Sequence, residues 1–208
     1  MTALLLASLL YLPLWPVNPV QQDTASFLNL HVSAGVTAPN GVAATGGDVS
    51  VKLEMLLIHP FVIRGAVDYR FGQTMAIRLP DGLVHGPTWS MEMMYYRGTN
   101  KMTGYIGMGP VLATNMFRPK SSARDSLRMV ENITKINLRP AFGYRLTFGL
   151  HLRKTFSIEV SLTTLNPEFI FTQRLDSNRY KEIHYREQFN DFRVSFGYLF
   201  ELKHRSRY

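Results

Sequence analysis

The sequence has no cysteine, comparatively few charged residues and no long apolar run. Without cysteine, disulfide frameworks, Cys-ligated zinc, iron–sulfur clusters and thiol catalysis are excluded. Charged residues make up 18% of the 208 positions, below the roughly 25% of soluble domains. No internal apolar run reaches the roughly 18 residues that a transmembrane helix requires. A membrane-spanning β-barrel remains compatible with this composition, because only every second residue of its strands faces lipid.

The clearest pattern in the chain is an alternation near its C-terminal end, over residues 192–202. Bulky apolar residues occupy one face, and charges of both signs with small residues occupy the other. A period of two indicates a β-strand between two unlike environments. An aromatic face opposite a charged one is typical of a membrane barrel, which turns apolar residues to lipid and polar residues inward.

Seven further segments alternate in the same way and approach the roughly 9–11 residues with which a tilted strand crosses a bilayer. They are residues 28–37, 48–58, 61–71, 89–97, 103–113, 133–147 and 155–164. Together with 192–202 they predict eight strands. Pro110 and Pro140 fall on the apolar faces of two of them. Each is predicted to mark a β-bulge, because proline cannot donate a ladder hydrogen bond.

The connections between these segments alternate between long and short. The long ones are residues 39–47, 72–88, 115–132 and 166–188, and the short ones are 59–60, 98–101 and 148–154. In an up-and-down barrel this order puts every long loop at one end, as in outer-membrane barrels with short periplasmic turns. The predicted fold is therefore all-β, an eight-stranded antiparallel up-and-down transmembrane β-barrel.

The first residues form a separate segment. Ala3 to Leu12 is apolar, and prolines follow it, so it is too short to span a bilayer and resembles the apolar region of a secretory signal peptide. We expect a signal-peptide-like segment over residues 1–22, cleaved between Val17 and Ala25, for instance before Gln21, and a barrel domain over 27–208. The alternative is a disordered or plugging N-terminal segment.

Three strand segments, Tyr105–Pro110, Phe142–Leu146 and Phe196–Phe200, carry a family resemblance. The chain resembles the small eight-stranded bacterial outer-membrane β-barrels, which include the transmembrane domain of outer membrane protein A and the adhesin-like outer membrane protein X. The resemblance covers about residues 27–208, and Tyr208 supplies the aromatic end of the family's assembly signal. It implies an outer-membrane location, the barrel-assembly machinery as a partner, and a structural or adhesive role with no catalysis and no cofactor.

The polar strand faces collect charges of both signs, which we expect to meet in the lumen. These residues are Lys52, Glu54, Arg64, Asp68, Arg70, Glu92, Arg139, Arg145, Glu159, Arg193, Glu201 and Lys203. Eight strands leave an interior just wide enough for side chains to fill, and unpaired buried charges are costly. The prediction is an ion-paired lumen without a large, stable conductance. A gated ion path is the alternative.

The third and fourth long loops make the external end basic, which favours contacts with lipopolysaccharide phosphates. Turn residues at Asp176–Asn178 between β-prone runs predict a hairpin within 166–188. An exposed edge of that hairpin can capture surface or periplasmic proteins by strand addition, or the hairpin merely shields the barrel mouth. The candidate contact residues are Arg118, Lys120, Arg124, Arg128, Phe169, Phe171, Arg179, Tyr180, Lys181 and Tyr185.

Other function classes have weaker support. His31 and Ser33 resemble the His-x-Ser of outer-membrane lipid A deacylases, but a polar pair in the lumen is favoured for them. A soluble ligand-binding barrel would extract without detergent. A carrier of small hydrophobic molecules would need a lateral opening, for which Pro110 and Pro140 are the candidate positions. The histidines lack metal-site spacing. A net charge of +8 without dense basic runs predicts no nucleic-acid partner.

Overall fold

A computed structural model of the protein describes residues 26–39, 45–58, 60–73, 81–99, 101–153, 155–186 and 188–205. The predicted signal-peptide-like segment lies outside these residues. Among the described residues, no helix is long and apolar enough to cross a membrane.

Eight long strands form a closed antiparallel barrel. They are β1 (Ser26–Pro39), β2 (Thr45–Ile58), β3 (Phe61–Gln73), β4 (Gly82–Gly98), β5 (Met102–Ala113), β8 (Ala141–Leu152), β9 (Phe156–Leu165) and β12 (Phe189–Arg205). Each strand pairs with the next in this order, and β12 pairs with β1 to close the ring. The structure therefore confirms the predicted fold class.

The remaining elements lie at the long-loop end of the barrel. They are β6 (Met116–Pro119), helix α1 (Ser121–Val130), β7 (Ile133–Leu138), β10 (Glu168–Arg174) and β11 (Tyr180–Arg186). Strand β6 extends the edge of β4. Strands β7, β10 and β11 form a separate three-stranded sheet in the order β11–β10–β7, which we call the external sheet. Helix α1 is followed by Asn132 at φ 53°, a left-handed conformation that asparagine tolerates.

Burial alternates along the barrel strands as a closed barrel requires. In β3, Val62, Arg64 and Asp68 are buried, whereas Tyr69 and Phe71 are exposed. Large apolar side chains are exposed on the outward face of every barrel strand, for example Val36, Val51, Val67, Trp89, Met108, Phe142, Tyr144, Ile158, Phe196 and Phe200. Charged groups point inward and apolar groups outward, so the surroundings of the barrel wall are apolar and the barrel spans a membrane.

Three predictions about strand boundaries are wrong. Strand β4 begins at Gly82, inside the predicted loop 72–88, where it pairs with β3 and β6. The predicted loop 115–132 contains β6 and α1. The predicted strand 133–147 is divided at Arg139 and Pro140 into β7 and β8, which belong to different sheets.

The predicted β-bulges at proline are also absent. Pro110 lies within β5, opposite Tyr144 of β8, and the register is unchanged on both sides of it. The ladder with β4 is interrupted between the pairs Ser90–Val111 and Met93–Met108 without a shift, because proline has no N–H to donate. Pro140 lies between strands, where no ladder bond is lost.

Candidate functional site: the lumen and the external sheet

The inward faces of the barrel carry a dense set of buried charges. The basic members are Lys52, Arg64, Arg70, Arg145 and Arg193, and the acidic members are Asp48, Glu54, Asp68, Glu92, Glu159 and Asp191. None of these residues is more than 6% exposed. We call this set the lumen network. Its two signs nearly balance, so the groups can neutralise one another within the barrel.

The part of the network nearest the short-turn end of the barrel is organised around Arg64 on β3. Its Nη2 is 2.6 Å from Oε1 of Glu54, and its Nη1 is 2.6 Å from Oε2 of Glu159. Lys52 Nζ donates to Oε1 of Glu159 at 2.5 Å. Tyr96 donates to Glu54 at 2.8 Å and Tyr105 donates to Glu159 at 3.1 Å. Strands β2, β3, β4, β5 and β9 are thereby joined across the lumen.

The part of the network nearer the long-loop end of the barrel is organised around Asp68. Its Oδ2 is 2.6 Å from Nη2 of Arg145, and its Oδ1 accepts from Nη1 of Arg193 at 2.9 Å. Arg193 also lies 2.5 Å from Asp48, and Arg145 lies 3.6 Å from Glu92. Above these residues, Arg70 donates to Asp191.

The network closes the middle of the barrel. Opposite charges at contact distance fill an interior that eight strands make only wide enough for side chains. Each charged group is desolvated by its burial. Removing one partner therefore leaves an uncompensated buried charge, which lowers the free energy of unfolding by about 3–5 kcal/mol. The arrangement fixes which strands face each other and leaves its charges engaged with one another.

A cluster of rings fills the short-turn end of the lumen. Tyr96 and Tyr105 stack with centroids 5.2 Å apart, and His151 lies 4.6 Å from Tyr105. Glycines on the inward face make room for these rings, because a Cβ at Gly149 would overlap Tyr105. Met94 and Val62 are buried beside Tyr105.

His31 is buried at the same end, and it contacts a serine other than the predicted one. Its Nε2 lies 2.5 Å from Oγ of Ser157, while Ser33 is buried further along β1. No hydrogen bond reaches Nδ1 of His31 from the described residues, whereas nucleophilic catalysis requires an acid that orients the base. Within the described residues, no group of three or more His, Asp or Glu is placed to hold a metal ion.

An apolar cluster covers the long-loop end of the lumen. Phe117 of β6, Phe169 of β10 and Phe189 of β12 meet edge to face, with centroids 5.7 and 6.0 Å apart. The barrel residues Val111 and Leu165, each 1% exposed, pack against them. We call this cluster the apolar lid. The lid joins the external sheet to the barrel wall on the side of β4, β5, β8, β9 and β12.

Three residues predicted for the lumen are not found in the lumen network. Arg139 lies between β7 and β8 with its side chain 56% exposed, and it donates to Glu168 of the external sheet at 2.8 Å. Its predicted position is wrong because β8 begins only at Ala141. Glu201 is exposed. It lies past Tyr198, where the ladder with β9 ends, although β1 still pairs with it at Asn29. The side chain of Lys203 is outside the described residues.

The candidate contact residues of the external end are of two kinds in the structure, buried and exposed. Phe169 and Phe171 are buried, at 0% and 8%, so their prediction as surface contacts is wrong. Their face of β10 packs onto the apolar lid and does not meet solvent. Tyr185 is half-buried against the lid. The side chains that are exposed are those of Arg118, Lys120, Arg124, Arg179, Tyr180 and Lys181. The Arg128 side chain is outside the described residues.

Glu168 fixes the corner between the barrel and the external sheet. It accepts from Arg139 at 2.8 Å and from Arg186 at 3.3 Å, and His184 Nδ1 is 3.4 Å away. Desolvation raises the pKa of Glu168, but the hydrogen bond from Arg186 and the charge of Arg139 outweigh it and hold the pKa below its usual value. One carboxylate thus links β7, β10 and β11.

Strand β11 forms an open edge of the external sheet. It pairs with β10 on one side, and no described strand pairs with its other side. All of its side chains except Tyr185 are exposed, including Tyr180 at 59% and Ile183 at 39%. The predicted hairpin is therefore present as β10 and β11, with its turn at 175–179.

Several lumen residues escaped the sequence-based prediction. Asp48 and Asp191 lie on the predicted inward faces, so the alternation alone could have identified them. The alternation also places Tyr96 and Tyr105 on the inward faces, but an aromatic side chain gives no sign that it contacts a buried charge. His151 falls in a predicted connection. Only the closed barrel brings them within reach of Arg64 and Glu159.

Comparison with known proteins supports the fold. No protein-family model matches the chain, and no curated protein sequence matches it. The outer membrane protein OprG from Pseudomonas aeruginosa matches with a TM-score of 0.58 and 13% identity, over 85% of this chain and 96% of that one. Outer Membrane Protein W of E. coli matches with a TM-score of 0.47 and 12% identity over 85% and 98%. Ail of Yersinia pestis matches with a TM-score of 0.42 and 13% identity, over 85% of this chain and 98% of that one.

The chain thus has the fold of the small eight-stranded outer-membrane barrels. Its charged lumen and apolar outer wall are those of a barrel surrounded by lipid, and such barrels belong to the bacterial outer membrane. The protein is an integral outer-membrane β-barrel.

Proposed function

We propose that this protein is an adhesin-like surface protein, in which the closed barrel serves as the membrane anchor and the external sheet binds other proteins. The observation that carries the proposal is the contrast between a lumen filled by paired charges and a sheet that ends in an open, exposed strand. The open strand is β11, and it projects on the external side.

The anchor role predicts that the barrel does not conduct ions. The lumen network holds its charges in contacts of 2.5–2.9 Å such as Lys52–Glu159 and Arg64–Glu54, and the apolar lid lies at its outer end. Single-channel recordings of the purified protein in planar bilayers should show no steady, wide pore. A persistent conductance that disappears after Arg64→Met would instead assign the protein to ion passage.

The binding role rests on strand addition at β11. An extended segment of a partner can hydrogen-bond to an unpaired edge strand, and adjacent side chains supply selectivity. Non-adherent bacteria that express the protein should attach to epithelial monolayers. His184→Pro should abolish the attachment, because it removes an N–H from the open edge, where proline is tolerated.

The matched control is His184→Ala, which changes the same side chain and keeps the N–H. Both variants should retain the difference in gel mobility between boiled and unboiled samples that reports a folded barrel. Equal attachment by the proline variant and the wild type would refute binding through this edge.

Basic side chains at the external rim support a second partner, the phosphates of lipopolysaccharide. Arg118, Lys120 and Arg124 are exposed, and charge-assisted contacts with phosphate oxygens suit them. Binding to lipopolysaccharide-containing vesicles should exceed binding to neutral vesicles, and Arg118→Gln with Arg124→Gln should reduce the excess. An undiminished excess in the double variant would exclude these residues as the contact.

The two rival functions have less support. A carrier of small hydrophobic molecules needs an apolar passage, and the crevice beside Pro140, lined by Ala113, Leu138 and Leu165, encloses only about 10 Å³. A lipid-modifying enzyme needs a nucleophile that lipid can reach, and the Ser157–His31 pair is buried in the lumen. Lipid A deacylation by the purified protein that is lost in Ser157→Ala would restore the enzymatic alternative.

A further inference from the structure

The open edge of β11 has a defined hydrogen-bonding pattern. The Leu175 N–H donates to the Arg179 carbonyl at 2.9 Å where the β10–β11 hairpin turns. In an antiparallel pair, alternate residues bond across the ladder. The backbone groups of Lys181, Ile183 and Tyr185 therefore face β10. Those of the even-numbered residues 180, 182, 184 and 186 face the open edge.

We propose that this edge pairs with the same edge of a second copy of the protein, antiparallel and centred on Ile183. This inference rests on the proposed adhesive function and adds a second copy of the chain to the partners that the edge can bind. The two external sheets would become one six-stranded sheet with a twofold axis at Ile183. All seven residues of β11 then pair, with about eight new backbone hydrogen bonds, two for each pair of bonded residues.

The side chains of β11 are compatible with this register. With Ile183 at the centre, Glu182 lies opposite His184, and Tyr180 lies opposite Arg186. These are an acid beside a histidine and an arginine beside an aromatic ring, and cross-strand pairs of this kind are favourable. No residue faces a residue of like charge in this arrangement.

The neighbouring registers are worse for identifiable reasons. Bonded residues must both have their backbone groups at the open edge, so the register can shift only by steps that keep even-numbered residues opposite one another. A shift in one direction places Glu182 opposite Glu182 of the second copy, and like charges directly opposite are destabilising. A shift in the other direction places Glu182 opposite Arg186, but it also places His184 opposite His184 and leaves Tyr180 without a partner residue in β11. About six backbone hydrogen bonds then form, against about eight in the register centred on Ile183.

The pairing also determines how the two membranes are arranged. Strand β11 runs from the hairpin turn to β12, which enters the barrel. An antiparallel partner runs the opposite way, so its barrel lies in a facing membrane. A symmetric pair within one membrane would need parallel strands, whose bonds require an offset of one residue that a twofold axis does not allow. Contacts between two bacterial cells that both carry the protein would then be self-recognition. Many weak pairs acting together would strengthen such contacts.

The absence of native cysteine makes a direct test possible. Ile183→Cys places two thiols on the twofold axis, at a non-bonded pair with Cα atoms about 4.5 Å apart, which lies within the range for a disulfide. The control is Lys181→Cys, whose two copies would lie about 13 Å apart, four residues at 3.3 Å each. Two vesicle populations, each with a differently tagged protein, are mixed and oxidised.

We expect Ile183→Cys to yield disulfide dimers that contain both tags and to yield at least tenfold fewer when His184→Pro is added. Lys181→Cys should yield few dimers. Wild-type vesicles should aggregate, and His184→Pro vesicles should not. Dimers that contain only one tag, or equal yields from the two cysteine variants, would overturn the proposal. If the vesicles fail to aggregate while His184→Pro still abolishes attachment to epithelial monolayers, self-pairing is wrong and the adhesive function stands.

Discussion

The barrel and the external sheet use the same alternation for opposite purposes. In β8 the apolar face, with Phe142 and Tyr144, is exposed to lipid, and Arg145 is buried. In β7, directly before it, the apolar face continues with Ile136 and Leu138, but here it packs on the apolar lid. The chain turns at Arg139 and Pro140, so the face that meets lipid below becomes the face that meets protein above. Alternation therefore identifies two faces and does not identify their surroundings.

The largest effect is predicted for a substitution that disrupts the lumen network. Arg64→Met leaves Glu54 and Glu159 without their main counter-charge, and we expect a loss of about 3–5 kcal/mol in the free energy of unfolding. Urea unfolding of the vesicle-embedded barrel, followed by gel mobility, measures the loss. Arg139→Met is the matched control, since it removes an exposed arginine–carboxylate pair worth about 0–1 kcal/mol. Equal losses in the two variants would contradict the distinction between the regions.

The next largest effect is predicted for a substitution that disrupts the apolar lid. Phe169→Ala removes a fully buried ring from the apolar lid, which costs about 3–5 kcal/mol for a core phenylalanine. The loss should be local, so we expect faster proteolysis of the β10–β11 hairpin while the barrel keeps its unboiled gel mobility. If the barrel unfolds with the hairpin, the two regions are a single cooperative unit.

A third experiment sharpens the contrast between the outer surfaces. Val51 lies at the middle of β2 with 51% of its side chain exposed. Val51→Lys should cost about 2–4 kcal/mol, because a charge on the lipid face is penalised near the midplane. Ile183→Lys, at a partly exposed site of the external sheet, should change the unfolding free energy by less than about 0.5 kcal/mol. Comparable losses would show that both surfaces meet the same surroundings.

The smallest effect concerns pH. The lowered pKa of Glu168 means that its ionised form stabilises the folded sheet above the ordinary carboxyl pKa. This contribution is lost as the pH falls below the ordinary carboxyl pKa and through the lowered value. Amide exchange in β10 and β11, corrected for intrinsic rates, should therefore rise on acidification more in the wild type than in Glu168→Gln. An identical rise in both proteins would exclude Glu168 as the titrating group.

Much of the barrel could be predicted from local pattern, and much of the site could not. The eight crossing segments follow from a period of two, which each strand displays by itself. The bonds of Arg64 join residues as far apart as Glu159, and only barrel closure determines such pairs. Phe169 and Phe171 were predicted as surface contacts because they lie in a long external connection beside a turn. The local sequence does not show that β6 and the barrel residues pack against their face.

The pairing of β1 with β12 has a kinetic consequence. The seam joins residues as distant as Ser26 and Arg205, so the ring closes only after almost the whole described chain has entered the membrane. Closing so long a loop carries a large entropic cost, and contacts of this kind form slowly. Pairing of β1 with β12 is therefore expected to be a late step of assembly, after the local hairpins of the wall have formed.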